Sequence, residues 1–97
     1  LHKIAPGEYE AYYIGQIFQF SPRELVVPLG ARVTFYVTSV DVEHGFSVPL
    51  TGVNTMVTPG WVSTVSYTFR TRGSFPIVCN EYCGILHHTM AARIVVR

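Results

Sequence analysis

The chain has 97 residues, enough for one small domain with one core. Hydrophobic residues make up 48% and charged residues 13%, a balance that excludes a disordered chain and predicts a packed globule. A net charge of +1 with no Lys/Arg cluster excludes a nucleic-acid binder, and no stretch approaches the roughly 20 apolar residues that span a bilayer.

The chain begins at Leu1 without a methionine, so it reads as a processed or truncated piece of something longer. His2 is expected in a frayed terminus, without supporting partners. The first predicted strand is Glu8–Phe20, rich in Tyr and Ile, with Phe18 and Phe20 read as packing residues. Turn signals follow at Ser21-Pro22 and Pro28-Leu29-Gly30. Over residues 31–40, Val33, Phe35 and Val37 alternate with Thr34, Tyr36 and Thr38, the period-two pattern of a half-buried strand. His44 lies beyond it in DVEHGFSV, where Asp41 and Glu43 read as solvated strand-end charges. Met56 reads as a packing residue in a loop. Trp61, after the Pro59-Gly60 turn, reads as an exposed or half-buried turn residue.

Residues 62–69 alternate again, with Val65, Tyr67 and Phe69 on one face. Past the Arg72-Gly73 turn, Phe75, Ile77 and Cys79 alternate with Pro76 and Val78, so Cys79 falls where a strand leaves the sheet. The tail Arg93–Arg97 resumes β character. The segment between is thus a loop joining two adjacent strands, held at both ends, as a preorganised site requires. No helical period, repeat or linker is visible. Short strands punctuated by turns predict a single all-β domain over 1–97, an antiparallel sandwich or barrel.

The loop, CNEYCGILHHTM, concentrates ligand chemistry in the spacing Cys79-x3-Cys83-x3-His87-x2-Met90. Thiolate, imidazole and thioether together select copper over hard cations. A structural Cys79–Cys83 disulfide would close only a tiny loop and constrain the unfolded chain weakly. Cys83, His87 and Met90 with His44 would suit a mononuclear blue-copper site of two histidines, one cysteine and a weak axial methionine. Cys79 does not fit that set. Two coppers bridged by both thiolates would use each donor: one imidazole per metal, with Met90 and a main-chain carbonyl, best that of Glu81, as weak axial ligands. The bland alternative makes Cys79 a buried apolar strand-end residue.

These residues resemble the CuA domain of subunit II of haem–copper cytochrome oxidases, over about Tyr13 to Arg97. The resemblance rests on the Cys-x3-Cys-x3-His-x2-Met motif and on a His-Gly-Phe strand end 35 residues before Cys79. HGFSVPLTGVN, VTPG and Phe18-Gln19-Phe20 look more like the ba-type branch, although Glu81 resembles the aa-type, where this side chain reaches toward a magnesium site. The resemblance implies a cupredoxin-like Greek-key β-sandwich or barrel holding two copper ions. Cys79 and Cys83 would be the bridging thiolates and His44 and His87 the terminal imidazoles, with Met90 and the Glu81 carbonyl axial. His88 would then point away.

It further implies electron transfer from cytochrome c or a similar small donor to haem in oxidase subunit I. The parent would be membrane-anchored and the domain would lie on the periplasmic face of a bacterial or archaeal membrane. No nucleophile–base pair is visible, so this domain alone is expected to form no chemical bond, though it would belong to an oxidoreductase. Phe20 stands near the family's aromatic patch where electrons come in. Competing readings are the CuA domain of nitrous oxide reductase, a cupredoxin that delivers copper, and a mononuclear blue-copper carrier.

Overall fold

The computed structural model describes residues 1–16, 19–41, 44–49, 51–79 and 92–97. Among these described residues ten strands form: β1 (His2–Ala5), β2 (Glu8–Gln16), β3 (Gln19–Ser21), β4 (Glu24–Val27), β5 (Arg32–Ser39), β6 (His44–Val48), β7 (Val53–Val57), β8 (Ser63–Thr68), β9 (Gly73–Cys79) and β10 (Ala92–Val96). One sheet runs β1-β2-β5-β8 with β3 paired to β2, and the other runs β4-β10-β9-β6-β7. Gly30, at φ +86°, makes the turn between β4 and β5, and Gly60, at φ +83°, the turn before β8. Both hold a backbone conformation that side-chain-bearing residues rarely adopt.

Alternation explains the packing. On β5, Val33, Phe35 and Val37 point inward and are fully buried, while Arg32, Thr34, Tyr36 and Thr38 face outward. The opposing sheet contributes Val27, Phe46, Val48, Ile77, Ile94 and Val96 to the same core. Phe46 is the hub: its ring lies 5.3 Å from Tyr13, 5.3 Å from Phe20 and 5.7 Å from Phe35. These tilted and edge-on contacts join the two sheets, and such pairs add roughly 0.5–1.5 kcal/mol beyond the area they bury.

Two expectations are corrected. The sandwich is mixed rather than antiparallel: β2 runs parallel to β5, and β4 parallel to β10. A parallel pair cannot be joined by a hairpin, so each such connection leaves its sheet and returns, tying the two sheets together. The predicted strand Glu8–Phe20 is two strands, with Gln16 opposite Gln19 in an antiparallel hairpin. No glycine or proline marks that reversal. Its reward is tertiary, because doubling back buries Phe20 edge-on against Phe46.

Inside this core the Tyr13 hydroxyl is buried with no hydrogen-bond partner among the described residues. Burial raises its pKa above the ordinary phenol value, because the phenolate would be desolvated. The folded chain therefore holds this proton more tightly than the unfolded chain. The stability so contributed is present below the unfolded tyrosine pKa of about 10 and is lost as pH rises beyond it. Replacing Tyr13 by Phe keeps the ring and removes the orphan hydroxyl, which costs on the order of 1–3 kcal/mol. Tyr13→Phe is expected to unfold at higher urea at neutral pH and to lose less stability at alkaline pH. Paired urea titrations at neutral and alkaline pH check both parts.

Candidate metal centre

β9 occupies the middle of its sheet, with β10 on one side and β6 on the other. Cys79 is the last residue of β9, as the alternation of Phe75 and Ile77 predicts, and Ala92 opens β10. Ile77 pairs with Ala92 across the antiparallel ladder, so the ligand-rich segment leaves and rejoins two hydrogen-bonded neighbours. Such flanks limit how far the segment can rearrange.

His44 lies beyond β5, as expected, and opens β6. Phe46, two residues on, pairs with Cys79. Strand spacing and rise then put the Cα atoms of His44 and Cys79 on the order of 8 Å apart. One metal ion held between a thiolate and an imidazole can close such a span. On its other side His44 pairs with Val57 of β7. Glu81, Cys83, His87 and Met90 lie outside the described residues, as do Phe18, Glu43 and His88. Among the described residues no three of His, Cys, Asp and Glu come together. By chemical type, thiolates, imidazoles and a thioether are a set that suits copper.

Behind the strand ends stand the rings of Phe46, Tyr13, Phe35 and Phe20. They are fully buried, and a low-dielectric shell of this kind tunes the potential of a metal bound beside it. In the His-Gly-Phe triplet, Phe46 is the residue whose role the packing reveals. The signal for it is the alternation of Phe46 and Val48 with Gly45 and Ser47, which marks Phe46 as core-facing. Phe20 is buried, which agrees with packing and not with a surface where electrons come in.

Other expectations divide. Trp61 is 72% exposed, as predicted; its backbone N–H donates to the Thr58 carbonyl at 3.1 Å, and its own carbonyl accepts from Thr38 Oγ1 at 2.7 Å. Asp41 is exposed, and Ser39 Oγ donates to its carboxylate at 3.2 Å. Met56 is corrected: it sits on β7 opposite Gly45 and is 44% exposed, so it is neither in a loop nor in the core. His2 is corrected too. It belongs to β1, opposite Glu10, with its ring edge-on to Tyr12 at 5.6 Å. The cross-strand ladder, invisible in one short terminal segment, orders it.

A family model described as the cytochrome c oxidase subunit II periplasmic domain matches residues 10–97. Two Thermus thermophilus sequences named cytochrome c oxidase subunit 2 are each 46% identical over 95 residues, covering 98% of this chain. The chain spans 70% of the length of one and 56% of the other. Among solved structures, a chain of a heme-copper terminal oxidase dimer superposes with a TM-score of 0.86 at 31% identity, covering 97% of this chain and 68% of that one. Auracyanin A, a "blue" copper protein of Chloroflexus aurantiacus, superposes with a TM-score of 0.76 at 15% identity, covering 93% and 99%. This last likeness is one of fold, and the fold is that of the cupredoxins.

Proposed function

The chain belongs to the family of the periplasmic domain of cytochrome c oxidase subunit II, and from that premise we propose that it is an electron-transfer domain carrying a dinuclear copper centre. The reading assigns Cys79 and Cys83 as bridging thiolates, His44 and His87 as terminal imidazoles, and Met90 and the Glu81 carbonyl as weak axial donors. The observation that carries it is the adjacency of β10, β9 and β6, which sets His44 beside the strand end at Cys79 and anchors both ends of the segment between.

A two-copper centre bound there would take up and release one electron shared across both metals, with little change in bond length. The residues of this chain supply the rest. The β9–β10 ladder holds both flanks of the segment, the two thiolates would share the charge of bound copper, and the rings around Phe46 form a dry shell behind the end of β9. The proposed donor is a cytochrome c or similar small carrier, and the proposed acceptor is haem in oxidase subunit I. The domain would face the periplasm from a membrane-anchored parent, and among the described residues no helix is long and apolar enough to cross a membrane. Likeness to the Thermus sequences supports the ba-type branch.

The deciding measurement is the EPR spectrum of the copper-loaded chain with copper counted per chain. Two coppers sharing one unpaired electron are expected. One copper per chain would instead make this a mononuclear carrier, and rapid loss of copper to a chelator would make it a delivery protein. A second expectation concerns Met90. Replacing it by Leu removes a weak donor and leaves four strong ones, so both coppers should stay bound while the potential rises. Voltammetry with a copper count checks this, and loss of copper would remove Met90 from the axial role.

A further inference from the structure

On the outer face of the first sheet, far in role from the ligand segment, three strands bring a second redox-capable group together. Tyr12 on β2 pairs with Tyr36 on β5, and their rings stack at 5.3 Å with an interplanar angle of 18°. Both hydroxyls donate to one carboxylate, Tyr12 to Glu10 Oε1 at 2.8 Å and Tyr36 to Glu10 Oε2 at 3.2 Å. His2 of β1 stands opposite Glu10 and sets its ring edge against Tyr12. Tyr12 is 54% exposed, so a reagent in solution reaches it.

We propose that Tyr12 and Tyr36 form a surface site of reversible one-electron oxidation, with Glu10 as the acceptor of the phenolic proton. A one-electron oxidant from solution, of the radical or high-potential metal-complex class, removes one electron from a phenol and is itself reduced by one. The O–H proton moves along the existing hydrogen bond to the Glu10 carboxylate. The products are a neutral phenoxyl, a carboxylic acid at Glu10 and the reduced oxidant. A one-electron reductant returns the electron, and the proton returns from Glu10.

The geometry meets the chemical demand. An oxidised phenol is a strong acid, so its loss of an electron is easy only where a base already holds the proton, within about 2.6–3.2 Å. Here one base serves two phenols whose rings are stacked at 5.3 Å. The hydrogen bond to Glu10 is the largest cause of a raised pKa at both tyrosines, so the resting form is the phenol and not the phenolate. Tyr13, next in the chain, faces the opposite side of the sheet and packs on Phe46, the partner of Cys79. The surface pair therefore lies one residue from the rings that back the proposed metal centre, yet the inference holds whether or not copper binds there.

Glu10→Gln separates this role from a merely structural one. The amide oxygen still accepts hydrogen bonds and preserves the cross-strand cluster, but it is not a base. The chain as isolated, with metal content matched across variants and Trp61→Phe as background, is oxidised by photogenerated tris(bipyridine)ruthenium(III), and phenoxyl absorption is followed in time. Phenoxyl formation in Glu10→Gln is expected to slow about a hundredfold, the low end of what a positioned base contributes, with the melting curve unchanged. The double variant Tyr12→Phe, Tyr36→Phe should lose the fast phase, and the unsubstituted chain should react more slowly in D2O. A Glu10→Gln rate equal to that of the parent, a fast phase surviving in the double variant, or no solvent isotope effect would overturn the proposal.

Discussion

A Cys79→Ser chain is expected to lose the shared-electron EPR signature altogether, and this is the largest effect the proposed function predicts. Serine keeps the shape of the residue and the β9 ladder, whose last position Cys79 occupies. It removes a soft, charged bridge and offers a hard hydroxyl that stays protonated at neutral pH, a poor ligand for copper. With Cys83 alone, one thiolate remains to meet two metals, and the two-copper arrangement has no second bridge. One copper per chain or none should be counted, and Cys83→Ser should behave alike. A delocalised two-copper spectrum in either variant would defeat the assignment. The outcome also bears on the bland alternative, in which Cys79 is only a buried apolar residue and its loss would leave the metal count untouched.

Phe46→Ala is expected to cost about 3–5 kcal/mol of folding stability, the range for removing a large aromatic from a packed core. That is a large part of the roughly 5–15 kcal/mol a domain of this kind possesses. Phe46 is fully buried and packs against three rings of the opposite sheet, so no single neighbour can collapse into the space. A urea titration should show a much lower midpoint with little change in slope. Because Phe46 pairs with Cys79, the β6–β9 ladder should loosen where the proposed centre is anchored, and copper should pass to a chelator faster. Phe46→Leu, which refills most of the volume, should lose far less of both. A cost below about 1 kcal/mol for the alanine variant would show that the hub is not where the core is decided.

Much of the framework was legible because the patterns involved are local. Val33, Phe35 and Val37 announce the buried face of β5, and Phe75 and Ile77 place Cys79 at a strand end, since side-chain alternation is built into each strand. The turns at Gly30 and Gly60 were legible for the same reason. Partner choice was not. Nothing between Gln16 and Gln19 signals a reversal, and nothing in His2 or Met56 tells which strand lies beside it. Four of the six proposed ligand residues, Glu81, Cys83, His87 and Met90, stand on sequence spacing and family membership alone.

The sequence by itself therefore determined the proposed donor set, its spacing along the chain and the all-β character, because ligand chemistry and strand periodicity are properties of neighbouring residues. Only the tertiary structure decided that β6 lies beside β9, that β2 runs parallel to β5, that Phe46 joins the sheets and that Tyr12, Tyr36 and Glu10 meet. The physical reason is that a backbone hydrogen-bond ladder is indifferent to the side chains it joins. Which edges pair, and in which register, is settled by the apolar surface the whole arrangement buries at once.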